Sequence, residues 1–340
     1  MNTRFCDPDA DAGGDGTTNA LTGVNCAYKS LSIWEAARQA VLAEVEECIC
    51  ESNGGAHTAD TTALIIDGWT TTSAFYIYIH TSAAGRHAGV YNTGKYRLQL
   101  AADYDYIFTI TEEFVRVEGL QVYNTGTPNS GCIVLNYASA GETRISHNIV
   151  KVISSEARNG IELAPAASST IKIWNNVIYN FYAGIFFSFG NAGQVIAIYN
   201  NTVVDCSGKG IDVDDSVGDV SLYLKNNLVQ GAVTNYFITA FTTRNYKTNL
   251  SEDATVPATS PDTGTASTAI TFVDETGDNF GLTASLAGTN LSTDADGKIN
   301  IATDIKGVTR TEWSIGAFEY VAAGGLSIPV AMMTYREKRS

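Results

Sequence analysis

From Val117 to Gly231 the chain alternates apolar and polar residues in short bursts, and the bursts recur. Five stretches align without gaps: Val117-Glu-Gly-Leu-Gln-Val, Ile145-Ser-His-Asn-Ile-Val, Ile173-Trp-Asn-Asn-Val-Ile, Ile198-Tyr-Asn-Asn-Thr-Val and Leu224-Lys-Asn-Asn-Leu-Val. They lie 28, 28, 25 and 26 residues apart. A second phrase rides between them: Gly131-Cys-Ile-Val-Leu, Gly160-Ile-Glu-Leu, Gly184-Ile-Phe-Phe and Gly210-Ile-Asp-Val. Alternation at period two predicts strands with one buried face. Strands this short cannot bury that face alone, so a fixed repeat of this length predicts stacked coils around a shared core.

The fourth position of the first phrase reads Leu120, Asn148, Asn176, Asn201, Asn227. Asn tolerates left-handed backbone and bonds neighbouring backbone groups. The column therefore predicts a ladder of amides where one strand turns into the next. The glycines that open the second phrase predict tight bends at positive φ. On these motifs the chain resembles the right-handed parallel β-helix superfamily, the pectate-lyase-like solenoids, over roughly residues 60–245. The resemblance implies an all-β solenoid. It implies no single function, because lyases, hydrolases, adhesins and phage spikes share that architecture.

Around this core the chain divides into an N-terminal loop and capping helix (1–55), the β-helix (56–245), an irregular β module (246–321) and a hinge with a tail peptide (322–340). Ser32-Ile-Trp-Glu35 reads as a capping box, with Ala-rich sequence after it, and predicts a helix to about Cys50 that covers the open solenoid end. Ala63-Leu-Ile-Ile, Tyr76 to His80, Tyr96 to Leu100 and Tyr106 to Ile110 predict earlier coils. The segment 270–321 resembles the closing module of surface and phage β-helix proteins. It has Phe272-Val-Asp, Asp304, Gly307 and Arg310, and an Ile315-Gly-Ala-Phe-Glu-Tyr ending, with Ser314 where such modules usually carry Asp. Arg310 and Glu319 are expected to pair. The tail from Leu326 is apolar and then basic (Arg336, Lys338, Arg339). It reads as a docking peptide toward a neighbouring subunit, too short to span a bilayer.

The net charge of −15 argues against nucleic acid and anionic membrane as partners, since both need a basic face. It also argues against an acidic polysaccharide, unless a local basic groove exists. No run of 18 apolar residues occurs, so no membrane span is expected. The first residues lack the apolar core of a secretory signal, and a virion or extracellular setting is expected. Six cysteines form no zinc pattern. Cys132 and Cys206 read as core, whereas Cys6, Cys26, Cys48 and Cys50 leave a disulfide in the cap open. Asp7, Asp9, Asp11 and Asp15 alternate like the start of a calcium loop but depart from the EF-hand pattern, with Ala12 for its Gly and Thr18 for its Glu. Ca2+ and an Asp/Gly turn cluster both remain open there.

Equivalent positions in adjacent coils lie about 4.8 Å apart. The outward column of the second phrase reads Val134, Glu162, Phe186, Asp212. Glu162 and Asp212 are then roughly 9–10 Å apart, at the wide edge of an inverting glycosidase pair. Phe186 lies between them to stack on a sugar, with Asp214 and Asp215 nearby. Charged outward positions also serve solubility alone. Arg158 and Lys209 are the nearest bases for a lyase. Trp174, Tyr199 and Tyr223 suit glycan or protein docking, or packing under a loop or another protomer. The favoured reading is a non-enzymatic structural or binding protein of an extracellular assembly, such as a phage virion appendage, that is homo-oligomeric and docks glycans or neighbouring subunits. The alternative is a polysaccharide hydrolase or lyase acting in a groove along the β-helix.

Overall fold

The computed structural model describes residues 1–322 apart from 103–104, 127–130, 139, 154–157, 166–167, 188–189, 215–218, 240, 242, 258–268 and 294–295. The expected tail peptide from 323, Asp215 and most of the 251–269 loop thus fall outside the described residues.

The chain is a parallel β-helix. Each regular coil gives one strand to each of three parallel sheets. The first sheet has nine strands: Asn2–Cys6, Glu46–Cys50, Ile77–Thr81, Val115–Glu118, Glu142–Ser146, Thr170–Trp174, Val195–Tyr199, Ser221–Lys225 and Thr243–Lys247. The second runs in seven strands from Leu98–Leu100 to Leu250–Ser251, and the third in seven from Leu64–Ile66 to Thr234–Ile238. Pairing keeps like positions in register, so inward residues stack in columns. Ile145, Ile173, Ile198 and Leu224 form one. Val122, Val150, Ile178, Val203 and Val229 form another, and Ile133, Ile161, Ile185 and Ile211 a third. All are buried, and each coil's apolar face is covered only by the coils beside it.

The corner between the first and second sheets uses two neighbouring positions differently. The third position of the phrase, Gly119, His147, Asn175, Asn200, Asn226 and Thr248, holds the left-handed conformation, with φ between 50° and 77°. The fourth position carries the ladder. Asn148 Nδ2 donates to Asn176 Oδ1 at 3.0 Å, Asn176 to Asn201 at 3.0 Å, Asn201 to Asn227 at 3.1 Å and Asn227 to Asn249 at 3.0 Å. Each Oδ1 also takes the backbone N–H of the residue before it in the ladder. Asn249 belongs to a sixth copy, Tyr246-Lys-Thr-Asn-Leu-Ser, which carries the solenoid past residue 245.

Three expectations are corrected. The glycines of the second phrase are not at positive φ. They make room instead: a Cβ at Gly160, Gly184 or Gly210 would lie 2.7, 2.4 or 2.1 Å from a side-chain carbon of Ile178, Val203 or Val229 in the next coil. The helix spans only Leu31–Arg38 and is capped by Ser30, whose Oγ accepts from Ile33 N at 3.1 Å. Glu46–Cys50 is a strand because Glu46, Cys48 and Cys50 alternate inward and both of its edges pair. The solenoid thus begins inside the expected cap. The helix packs on the first strands of the first and third sheets, and Arg38 bonds the buried Glu46 at 2.9 and 3.1 Å. The six cysteines are all free and buried.

The closing module straddles the corner. Phe272, Phe280, Leu282, Ile305, Ile315 and Phe318 cover the outer face of the second sheet at Ile149, Val177, Tyr179, Val204 and Leu228. Leu291, Ile299, Ile301 and Trp313 cover Ala197 and Tyr199 of the first. Arg310 and Glu319 pair at 3.5 Å, both fully buried.

Candidate functional site

With the module seated over its later strands, the first sheet is left open over the strands from Ile77–Thr81 to Thr170–Trp174. Two adjoining hollows of about 200 and 260 Å³ lie there. Both are lined by Arg116 and Arg144. Tyr78, Glu118, Ser146 and Trp174 close one, and Tyr76, Phe114 and Glu142 the other.

Parallel register builds the site. Tyr78, Arg116, Arg144 and Lys172 occupy one outward column on successive strands. His80, Glu118, Ser146 and Trp174 occupy the next. Like charges about 4.8 Å apart repel, and the neighbours divide that load. Glu142 bonds Arg144 and Lys172, each at 2.5 Å. Glu118 takes Arg86 Nη1 at 3.0 Å and the Tyr78 hydroxyl at 2.9 Å. Arg116 lays its guanidinium over the Tyr76 ring, 3.4 Å from the centroid. Four cations thus face two carboxylates on a chain whose net charge is −15.

Titration follows from these contacts. Burial, joined by Arg144, lowers the Arg116 pKa. Burial pulls the Glu142 carboxyl upward, but the bonds from Lys172 and Arg144 outweigh it and hold it below its ordinary range. Burial likewise opposes ionisation of Glu118, and the neighbouring His147 and Arg86, with the Arg86 and Tyr78 bonds, hold it low. The Tyr78 hydroxyl is raised by burial and by Glu118.

The residues singled out in the sequence are placed elsewhere. Glu162, Phe186 and Asp212 follow one another on the third sheet. Glu162 takes the Tyr106 hydroxyl and Asn159 Nδ2. Asp212 is buried and pairs with Lys209 at 2.9 Å, while Lys209 stacks on Phe237 at 3.6 Å. Burial raises the Asp212 pKa and Lys209 offsets part of that. Asp214 bonds Thr239. Tyr199 is fully buried under the closing module, and Trp174 and Tyr223 pack at its border. The aromatic strip is therefore partly the module's seat, and Trp174 lines one of the two hollows. Three of the N-terminal aspartates accept backbone N–H groups. Asp7 takes Asp9 N and Asn53 N, Asp9 takes His57 N and Thr58 N, and Asp15 takes Thr17 N, while Asp11 is exposed. Among the described residues no three His, Cys, Asp or Glu side chains converge as a metal cage.

Sequence reasoning missed the Arg116–Arg144–Lys172 column. The signal was present at the position immediately before each aligned phrase, where Val115-Arg-Val, Thr143-Arg-Ile and Ile171-Lys-Ile put cations in like register.

Compared by sequence, the chain matches no protein family model and no curated protein. Compared by fold, it is similar to the crystal structure of pectate lyase Pel9A, at 16% identity over 94% of this chain and 97% of that one, with a TM-score of 0.45. That is a likeness of architecture and transfers no residue's role. By its own sheets and register the chain is an all-β parallel β-helix.

Proposed function

We propose that the protein is a non-enzymatic binding component of an extracellular assembly, a phage virion appendage being one such setting, and that it grips a carboxylated polysaccharide along the first sheet. The observation that carries this reading is Arg116: a guanidinium stacked on Tyr76, in a cleft where cations outnumber carboxylates, on an otherwise acidic chain. The local basic groove that an acidic glycan requires is thereby supplied. Tyr76, Tyr78 and Trp174 offer ring faces for sugars. Titration calorimetry with polygalacturonate and with uncharged dextran tests it. Binding of the acidic polymer alone, weakened by salt and by about tenfold in Arg116→Ala, is expected. Equal binding of both polymers, or of neither, overturns the reading.

One observation favours hydrolysis as a second reading. Glu162 and Asp212 stand two strands apart in one column of the third sheet, a pair of carboxylates of the type glycoside hydrolysis uses. New reducing ends that vanish in Asp212→Asn would establish it and displace the non-enzymatic reading.

A further inference from the structure

Arg144 lines both hollows of the first sheet, and 35% of its side chain is exposed. Of its guanidinium only Nε is spent, on Glu142 Oε1 at 2.5 Å. Among the described residues neither Nη has a protein acceptor. Arg116, in register with it on the strand before, lays its guanidinium on the Tyr76 ring and likewise makes no hydrogen bond among the described residues. The end of Arg144 is thus an accessible two-donor fork in a wall that the two hollows share.

Glu142 decides where that fork points. It stands two residues earlier on the same strand, so both side chains leave one face of the sheet. Its second oxygen takes Lys172 Nζ from the next strand at 2.5 Å. With one oxygen on each cation, the carboxylate is pinned from two strands and holds Arg144 by Nε. An arginine fixed in this way has its Nη pair left for a planar anion, which it meets with two parallel bonds. The pinning also answers the objection of like charge. Lys172 offsets Glu142, so the charge of Arg144 is left for a ligand.

We propose that Glu142, anchored by Lys172, is a positioning residue that aims the Nη edge of Arg144 into the junction of the two hollows, where it takes a carboxylate of the bound chain through two hydrogen bonds; the assignment rests on the glycan-binding reading above. Arg116 and Tyr76 then supply charge and a ring platform, and Arg144 reads the shape of the carboxylate.

The test uses the full chain, titrated calorimetrically with polygalacturonate, and two pairs of variants with equal charge inside each pair. All three positions face outward, so the inward columns are untouched. Arg144→Lys and Arg116→Lys both keep a cation and lose the fork. Arg144→Lys should bind about tenfold more weakly than Arg116→Lys, as for one charge-assisted hydrogen bond lost, because a lysine still sits over the Tyr76 ring. Glu142→Gln and Glu142→Ala both remove the carboxylate, but only the first keeps an acceptor for Arg144 Nε. Glu142→Gln should therefore bind about fivefold more tightly than Glu142→Ala, as for one neutral hydrogen bond. An ion pair that served stability alone would leave the two Glu142 affinities equal. Equal affinities within either pair overturn the assignment while leaving the groove standing. If the wild type binds no polygalacturonate, the groove reading fails by itself. The fork is then decided by the Arg144 Nε–H resonance, identified by its loss in Arg144→Lys, under titration with galacturonate. A shift larger in the wild type than in Glu142→Ala supports it, and an unmoved signal or an equal shift overturns it.

Discussion

Asn175 and Arg310, 135 residues apart in sequence, are joined by a 2.9 Å bond from Nη2 to Oδ1 in a buried setting. This bond shows what each Asn-Asn pair does. The second Asn bonds along the coil stack, and the first, held left-handed, grips the closing module. Asn200 Nδ2 donates to Ser314 O and Gly316 O, each at 3.1 Å. Asn226 bonds both the N–H and the C=O of Thr289, each at 2.8 Å. Arg310 completes the clasp by donating to the carbonyls of Ser314, Gly316 and Ala317, while Glu319 takes the N–H groups of residues 311 to 314.

Arg310→Met should release this module. It removes one partner of a buried pair, at about 3–5 kcal/mol, and takes one donor from each of the carbonyls of Ser314, Gly316 and Ala317. Limited proteolysis should then cut within 270–321 while the coils stay protected. Protection of the whole chain equal to wild type would refute the clasp.

At Asn200 the grip and the backbone can be separated. Asn200→Gly keeps φ near 51° at no steric cost but loses both bonds to the module. Asn200→Ala loses the same bonds and adds about 1 kcal/mol of left-handed strain. Urea midpoints should rank wild type above Gly above Ala, and Ala equal to or above Gly would count against the assignment.

In the inner ladder the expected loss is larger. Asn201 Oδ1 takes Asn176 N and Nδ2, and its own amide donates to Ile173 O, Tyr199 O and Asn227 Oδ1. Asn201→Ala orphans several of these buried groups and should lower stability by about 3–5 kcal/mol at 1–3 kcal/mol for each, measured by urea unfolding. A loss below about 1 kcal/mol would show that the ladder is dispensable.

The histidines set one limb of the pH profile. Burial drives the pKa values of His87 and His147 down to about 3. The unfolded chain takes up these protons near pH 6.5, so their contribution is full above that pH and is lost as pH falls toward 3. His147→Asn should therefore flatten the stability slope between about pH 6 and 4 by about 1.4 kcal/mol per pH unit. Asp60 works in the opposite sense. Burial pushes it up to about 6 despite bonds from Leu31 N, Thr62 N and Tyr96. Its contribution is full below about pH 4 and is lost as pH rises through 6. Asp60→Asn should remove that decline, and urea unfolding at several pH values measures both effects.

By itself the sequence determined the coil. Period-two alternation, a repeat of 25 to 28 residues and an Asn at the fourth position of every copy after the first are local properties, and a parallel stack follows once every coil must cover its neighbour's apolar face. The pairing of Arg310 with Glu319 was legible for the same reason, since both lie in one short motif. The helix end was not, because Val45 to Cys50 fits either period until strands on both sides supply hydrogen bonds. The use of the outward faces was decided only by tertiary structure. Tyr199 and Arg116 sit alike in the sequence, each outward on a first-sheet strand. Yet one lies under the closing module and the other in an open cleft. The apolar runs Val177-Ile-Tyr and Thr202-Val-Val held a trace of this, since a strand apolar on both faces must be covered on both. The cover comes from residues some 100 positions away, as Asn200 to Ser314 shows at a separation of 114, and no local period encodes where such a segment will land.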